Sequence, residues 1–264
     1  MPADRGKAVV VMDTVEYREK VRTLLSDEET YTKITDKRRN PTSRLEKNLN
    51  KLLSEIKSCP STHDQNVKQV DPNLHHRLHG TDAIPASSYG LPKIHKPGIP
   101  PRQIASCINA PTFNVFRHLV SILSPLLEEK YLINKSVVFA QQVRDQPITE
   151  DEIMVSFIAL FTSMPVDLAL QIVREKLQQD VTLTERTDIS VTNIMKLLEF
   201  VLKNSFFTYD QEHYQQTFGC AMGSPVSATI ANLVMEYIEE RAISTATHPP
   251  RWCYRERGDT SSKC

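Results

Sequence analysis

Hydrophobic residues recur at helical spacing over several long stretches of the chain. Between Leu45 and Ile56, for example, Leu49, Leu52 and Leu53 continue one apolar face, and lysines and glutamates occupy the other. Equivalent patterns elsewhere predict a chain that is mostly helical. The predicted helices cover residues 17–25, 43–58, 111–127, 165–179, 191–204 and 224–243.

Shorter apolar or alternating runs predict strands, and prolines mark extended segments between them. Cys59 to Ala86 shows no periodicity and is predicted to be a loop. From Tyr89 onward, prolines at 92, 97, 100 and 101 favour extended or turn backbone, because proline lacks an amide donor. The predicted strands are Val9–Met12, Gln103–Ile108, Ser136–Val143, Glu152–Phe161 and a hairpin of Phe206–Tyr209 with His213–Thr217. The fold class predicted is mixed α+β, helix-rich with a small antiparallel sheet.

Three helix starts carry capping signals. Asp13 or Thr14 is placed to cap the first helix, and Ser43 with Glu46 forms a capping box before the second. Ser224 followed by Pro225 predicts the start of the helix 224–243, because proline suits the first helical position. Apolar residues then fall on one face of that helix.

Two glycines precede the helix that begins at Ser224. Gly219 and Gly223 permit close approach of the backbone to a ligand or to a second strand, where any side chain would intrude. A core helix with a flexible lead-in explains the same pattern, since a pair of glycines is a weak signal without context.

Composition indicates a globular, intracellular protein. The chain has 264 residues, of which 40% are hydrophobic and 24% charged, so a core can form. No apolar run reaches the roughly 20 residues that span a bilayer, and no secretory signal is visible. We therefore expect no membrane association and a nuclear or cytoplasmic location. The five cysteines are odd in number and contain no CxxC pair, which predicts reduced thiols.

Charge is distributed unevenly although the formal net charge is zero. Residues 1–110 contain 18 Lys and Arg against 13 Asp and Glu, concentrated in Lys33–Lys57 and Arg77–Arg102. This excess is compatible with a basic face for nucleic acid. A solvated helix face explains the first cluster equally well.

Three stretches resemble conserved segments of one enzyme family, and they occur in the family's order. The sequence GCAMGSPVSATIANLVME (219–236) is similar to motif B of reverse transcriptases, in the form carried by Penelope-like retroelements. The sequence YGLPKIHKPGIPPRQIAS (89–106) resembles the fingers segment of the same family. The opening PADRGKAVVVMD (2–13) resembles its upstream conserved block. The resemblance spans about residues 2–255.

The resemblance implies a right-hand polymerase with RNA template, DNA primer and deoxynucleotide triphosphates as partners, and Mg2+ as cofactor. Residues 1–135 would be the N-terminal region and fingers, and 136–264 an incomplete palm, within a reverse transcriptase domain of roughly 89–264. The implied nucleotide-binding residues are Lys93, Lys96, Arg102 and Phe161. The implied template and primer contacts are Gly219, Met222, Gly223 and Ser224. Simpler roles stay open: Phe161 in the core, and Arg102 as a surface charge.

The family's metal-binding carboxylates are largely missing. Polymerases of this type hold two metal ions with aspartates from a strand motif, F-D-V-x-x-L-F-T, and from a Y-x-D-D hairpin. Here 153–165 reads IMVSFIALFTSMP, so that the Asp-Val pair is absent after Phe157. At the hairpin only Asp259 falls on a family aspartate, as the one remnant metal or catalytic candidate.

We therefore expect a truncated, degenerate copy without an intact catalytic or metal site. Loss of even one metal ligand costs at least roughly a thousandfold in rate. The alternatives are a non-catalytic nucleic-acid-binding protein, or a product that does not fold stably. The sequence does not predict the oligomeric state.

Overall fold

The computed structural model shows how these patterns pack. It describes residues 1–4, 8–36, 40–58, 72–80, 83–128, 132–133, 137, 140–141, 144, 160–247 and 255–256. Within these ranges the protein is a mixed α+β fold in which helix predominates.

Helices form most of the described chain. They are α1 (Thr14–Leu25), α2 (Pro41–Ser58), α3 (Pro72–Leu78), α4 (Phe113–Leu123), α5 (Leu160–Ser163), α6 (Val166–Gln179), α7 (Leu183–Arg186), α8 (Val191–Lys203) and α9 (Pro225–Thr245). A 3-10 turn, Ser124–Leu126, extends α4. None of these helices is long and apolar enough to cross a membrane.

Five strands form a mixed sheet in the order β1-β6-β5-β2-β3. They are β1 (Tyr31–Ile34), β2 (Ser87–Pro92), β3 (Pro101–Ser106), β5 (Ser205–Tyr209) and β6 (Glu212–Gln216). The prediction of an antiparallel sheet is wrong at one junction, because β2 pairs with β5 in parallel through Ser87 and Thr208. A separate parallel pair joins β4 (Leu132–Ile133) to β7 (Arg255–Glu256).

The core lies around α9, which is buried along most of its circumference. Val226, Ile230 and Leu233 are fully enclosed, and the helix contacts both α4 and α6. On the sheet, the Phe207 ring meets Tyr31 edge-on at 6.0 Å and stacks on Tyr214 at 5.7 Å between ring centroids. This aromatic cluster ties β1, β5 and β6 together.

The periodic helix predictions are confirmed, with shifts of a few residues at their ends. Leu45, Leu49, Leu53 and Ile56 are buried on one face of α2, as their spacing predicts. The helix predicted at 111–127 is shorter and begins at Phe113. The loop predicted for Cys59–Ala86 contains a helix, α3, whose Leu74 and Leu78 are buried although the stretch lacks a longer apolar repeat.

Of the three capping predictions, one is confirmed, one is confirmed for the helix start only, and one is wrong. Asp13 does cap α1, accepting hydrogen bonds from the amides of Val15 and Glu16. The capping box at Ser43 is wrong, because α2 begins earlier and Asn40 Oδ1 accepts from the Thr42 amide at 3.0 Å. Ser224 does occupy the N-cap of α9, but its hydroxyl makes no capping hydrogen bond.

The strand predictions are confirmed where a hairpin or proline-rich run defines them. Gln103–Ile108 corresponds to β3, and the hairpin of Phe206–Tyr209 with His213–Thr217 corresponds to β5 and β6. Val9–Met12 is not a strand, because only Val9 makes a single bridge, to Pro2.

The two central strand predictions concern residues that are only partly described. In Ser136–Val143 the described residues are 137, 140 and 141, and their backbone is helical, so that prediction is wrong there. Most of Glu152–Phe161 lies outside the described residues, and its last two residues belong to the short helix α5.

The buried Tyr31 hydroxyl provides a test of the sheet packing. Burial raises the pKa of Tyr31 to about 12, so that the folded protein keeps this phenol neutral when the unfolded chain ionises at about pH 10. Folding stability from Tyr31 is therefore complete below pH 10 and lost as the pH rises towards 12. Relative to Tyr31→Phe, the wild type should lose up to about 2 to 3 kcal/mol between pH 9 and pH 12. Urea unfolding at several pH values measures this difference, and a difference that is constant with pH would show that Tyr31 is not buried.

Candidate functional site

The hairpin of β2 and β3 carries the three cations singled out by the sequence. Its register pairs Leu91 with Arg102 and Pro92 with Pro101, and a loop of residues 93–100 closes it. Lys93 begins this loop, donating its amide to the Pro100 carbonyl at 3.0 Å, and Lys96 lies at its exposed tip. The proline-rich sequence thus places Lys93, Lys96 and Arg102 at one end of one hairpin.

Arg102 is anchored by an acidic residue from the start of the chain. Its Nε lies 2.8 Å from Oδ1 of Asp4, whose side chain is only 1% exposed, against 28% for Arg102. The Asp4 amide donates to the Pro92 carbonyl at 3.0 Å, which fixes the N-terminal segment to the hairpin. Arg102 is therefore a partly exposed charge held in an ion pair, and its role in binding nucleotide stays a prediction.

Lys93 is half-buried and lies in the same electrostatic environment. Burial is the main cause that lowers its pKa, and the positive charge of Arg102 lowers it further. The carboxylate of Asp4 acts in the opposite direction and raises the pKa of Lys93. The end of the hairpin is consequently a cluster of three cations and one buried anion.

The turn of residues 219–224 docks on the outer edge of β3. The Ala105 amide donates to the Met222 carbonyl at 2.7 Å. Gly223 lies so close that a Cβ there would be 2.3 Å from the Ala105 carbonyl oxygen, and its φ is +102°. Because β3 is the last strand of its sheet, this turn supplies a partner for an edge amide.

The other side of the same turn packs against α5. The Cys220 amide donates to the Phe161 carbonyl at 2.7 Å. A Cβ on Gly219 would lie 2.5 Å from that same oxygen, and the φ of Gly219 is +71°. The prediction that both glycines allow close backbone approach is confirmed, and the partners are β3 and α5.

The remaining candidates occupy structural positions around this turn. The Phe161 side chain is half-buried and packs against the hydrophobic core, as the simpler interpretation of this residue predicts. The Ser224 hydroxyl is buried and bonds no partner among the residues that the structure describes. Met222 is half-buried and contributes its backbone carbonyl. A role for any of the three in binding template or nucleotide stays a prediction.

The predicted metal-binding region lies outside the described residues. Asp259 belongs to it, as do residues 153–159 of the stretch that resembles the first aspartate motif. Elsewhere in the described chain, no group of three or more His, Cys, Asp or Glu side chains is arranged to hold a metal ion.

The most informative residue that sequence reasoning missed is Asp4. It lies in the opening stretch 2–13 that carries the resemblance, but no spacing rule connects residue 4 with residue 102. Its ion pair depends on the N-terminal segment folding back, with the Val10 amide donating to the Met1 carbonyl at 2.8 Å. Sequence reasoning also missed Ala105, because it contacts the turn only through its backbone.

Comparison with known proteins adds no relative. No family model matches this chain, and a search of the curated proteins found no match.

Substitution of Gly223 tests the docking of the turn. Gly223→Ala should lower the free energy of unfolding by at least about 2 kcal/mol, because the methyl group collides with the Ala105 carbonyl and the φ is unfavourable. Gly98→Ala is the matched control, since Gly98 also has a positive φ, of +72°, but has no atom within 4 Å of its virtual Cβ. The control should cost only about 1 kcal/mol, from backbone strain alone. Equal losses in the two variants, measured by urea unfolding, would show that the turn is not docked on β3.

Proposed function

We propose that this chain is the fingers and palm region of a reverse transcriptase of the Penelope-like type that has lost polymerase chemistry and retains binding of phosphate-rich ligands. The observation that carries the proposal is a juxtaposition. Of the three stretches that resemble the family, the segments 2–13 and 219–236 each contact the hairpin segment 89–106, at Arg102 and at Ala105 of β3.

Support comes from two contacts that a chance resemblance would not require. The turn that is similar to motif B docks on Ala105 of the fingers-like hairpin, and Asp4 of the opening block pairs with Arg102 three residues earlier in β3. Three residues along a strand span about 10 Å. We propose that the arginine and the glycine turn contact one extended ligand.

The cations of the hairpin support a phosphate-bearing ligand in particular. Arginine presents a planar fork of donors that matches phosphate oxygens, and lysine adds point charges. Lys93 and Lys96 flank the Arg102 pair at the end of the hairpin. Because one carboxylate faces three cations, this end of the hairpin keeps a positive balance that favours an anion.

The sequence supports the loss of chemistry. Where the family has Phe-Asp-Val, the chain has Phe157 followed directly by Ile158, and residues 256–259 read ERGD in place of Y-x-D-D. Two metal ions need several carboxylates to hold them, and Arg257 puts a positive charge within this stretch of the sequence.

Primer extension tests the proposed loss of activity. On an RNA template with Mg2+ and deoxynucleotide triphosphates, we expect the chain to extend a DNA primer at least about a thousandfold more slowly than an active family enzyme, because the metal ligands are missing. The matched comparison is a chain with Asp-Val inserted between Phe157 and Ile158, and with residues 256–259 replaced by Tyr-Val-Asp-Asp. If only the repaired chain extends the primer, the missing Asp-Val pair and the altered residues 256–259 account for the loss of activity. Extension by the unrepaired chain would contradict the proposal.

The salt dependence of RNA binding tests the basic hairpin. Affinity for single-stranded RNA should fall as salt rises, with a slope of about −0.7 in log K against log salt for each phosphate contacted. Substituting both hairpin lysines, Lys93→Gln with Lys96→Gln, should flatten the slope by about 1.4. Fluorescence anisotropy at five salt concentrations measures it.

A second lysine pair serves as the control for that measurement. Lys47 and Lys51 are exposed on α2, in the other basic stretch of the sequence. Replacing both with glutamine should leave the slope unchanged. A flat salt response in the wild type would refute nucleic-acid binding. If the α2 pair alone flattened the slope, the binding face would lie on α2 and the assignment to the hairpin would be wrong.

A further inference from the structure

Asp4 is a buried carboxylate to which the proposed function assigns no role in ligand binding, although its pair with Arg102 supports that proposal. Its side chain is 1% exposed, and Oδ1 lies 2.8 Å from Arg102 Nε. Oδ2 is also buried and receives no hydrogen bond from the described part of the chain. A buried charge is costly unless it is paired, so that the single contact to Arg102 is the main compensation visible for this carboxylate.

Backbone contacts hold Asp4 in place independently of its side chain. The Ala3 amide donates to the Ala8 carbonyl at 3.0 Å, Pro2 bridges Val9, and the Asp4 amide donates to Pro92. The segment is therefore fastened both to itself and to the end of β2. A carboxylate fixed in this way can orient a longer and more flexible partner.

The contact with Asp4 is at Nε and leaves the two terminal nitrogens of the Arg102 guanidinium for a ligand. Oδ1 of Asp4 lies on the Nε side of Arg102 as an ion pair without a hydrogen bond from Nε, and within the described chain no hydrogen bond from the two terminal nitrogens is found. Those terminal nitrogens form one edge of the donor fork that grips two oxygens at once. The Arg102 side chain is 28% exposed, and of its nitrogens only Nε is buried without a hydrogen bond, so that a ligand can reach the terminal edge.

We propose that Asp4 is a positioning residue for Arg102, holding the guanidinium by an ion pair on its Nε side so that both terminal nitrogens meet the phosphates of a nucleoside triphosphate. This inference rests on the proposed function and adds the N-terminal segment to its binding site. Lys93, held half-buried beside the pair, and Lys96 complete the set of cations that face the anion.

A simple charge argument predicts the opposite effect of Asp4, which makes the inference testable. Removing a carboxylate from beside three cations increases the local positive charge and should by itself strengthen binding of an anion. Positioning predicts weaker binding, because an unrestrained arginine must be ordered by the ligand. Whether removal of the Asp4 carboxylate weakens or strengthens anion binding therefore distinguishes positioning from a simple charge effect.

The experiment is a double-mutant cycle with calorimetric titration of dATP at fixed, low ionic strength. Asp4→Asn should weaken binding by about tenfold, Arg102→Gln by roughly 10- to 100-fold, and the double variant no more than Arg102→Gln alone. Asp210→Asn is the matched control. It removes a carboxylate from an exposed pair with Arg22, 2.6 Å between the charged atoms and outside the cation cluster, and it should leave affinity unchanged.

Asp4→Glu and tripolyphosphate provide two further comparisons. The glutamate keeps the charge but displaces the carboxylate by one methylene, so that positioning predicts weaker binding and a pure charge effect predicts none. This variant also keeps the inference testable if Asp4→Asn fails to fold, which thermal unfolding reveals. Tripolyphosphate should show the same dependence on Asp4 as dATP, because the contact is to phosphate.

The outcomes distinguish this inference from the proposed function. If the wild type binds neither dATP nor tripolyphosphate, the proposed function is refuted and the role of Asp4 with it. Two results with a wild type that binds would refute only the positioning role. In the first, Asp4→Asn binds the ligand more tightly than the wild type does. In the second, Asp4→Asn weakens binding by the same factor in the Arg102→Gln background as in the wild type.

Discussion

The described structure around the candidate site depends on one backbone contact, between the turn at Gly223 and the outer edge of β3. At this point two chain segments lie closer than any side chain would allow, since a Cβ on Gly223 would fall 2.3 Å from the Ala105 carbonyl oxygen. The Met222 carbonyl accepts the edge amide of Ala105, which otherwise would need water or another chain as its partner. Gly219 repeats the arrangement against Phe161. The entry to the central helix α9 is therefore held against the hairpin and α5 by backbone hydrogen bonds at two close contacts that only glycine permits. The lysines and arginine of the hairpin consequently have a defined position relative to the turn.

Electrostatics at the hairpin follow from this framework. Arg102 lies on the same strand as Ala105, and the N-terminal segment supplies a buried carboxylate on its Nε. Half-burial and the neighbouring positive charge make it harder for Lys93 to hold its proton, while Asp4 helps it to do so. A site of this kind can bind an anion without any metal ligand. Under the proposed function, binding and catalysis would be separable, because the proposed phosphate contacts lie in the hairpin, whereas the carboxylates implied by the resemblance belong to other segments.

Local patterns in the sequence predict local structure well here. The leucines of α2 and the apolar residues of α4 recur at helical spacing, and the structure buries them on one face of each helix. Asp13 caps α1 by accepting hydrogen bonds, as its carboxylate allows. The glycines at 219 and 223 were also recognisable, since only glycine tolerates their positive φ and the absence of space. Features that depend on distant residues could not be predicted. The parallel pairing of β2 with β5 joins residues more than a hundred positions apart, and the Asp4–Arg102 pair joins two segments with no shared periodicity. Ser43 fits the capping pattern, but α2 begins about one turn earlier. Asn40 accepts a hydrogen bond from the Thr42 amide there instead.

The most direct test of this account is hydrogen exchange at the Ala105 amide, followed residue by residue with NMR. If the turn is docked, this amide is bonded to Met222 and should exchange as slowly as the amides between β2 and β3, although it lies on the outer edge of the sheet. The Cys220 amide, bonded to Phe161, should be protected to a similar degree. Rapid exchange at Ala105, with the inner sheet amides still protected, would mean that β3 is a free edge and that the three segments do not form one site.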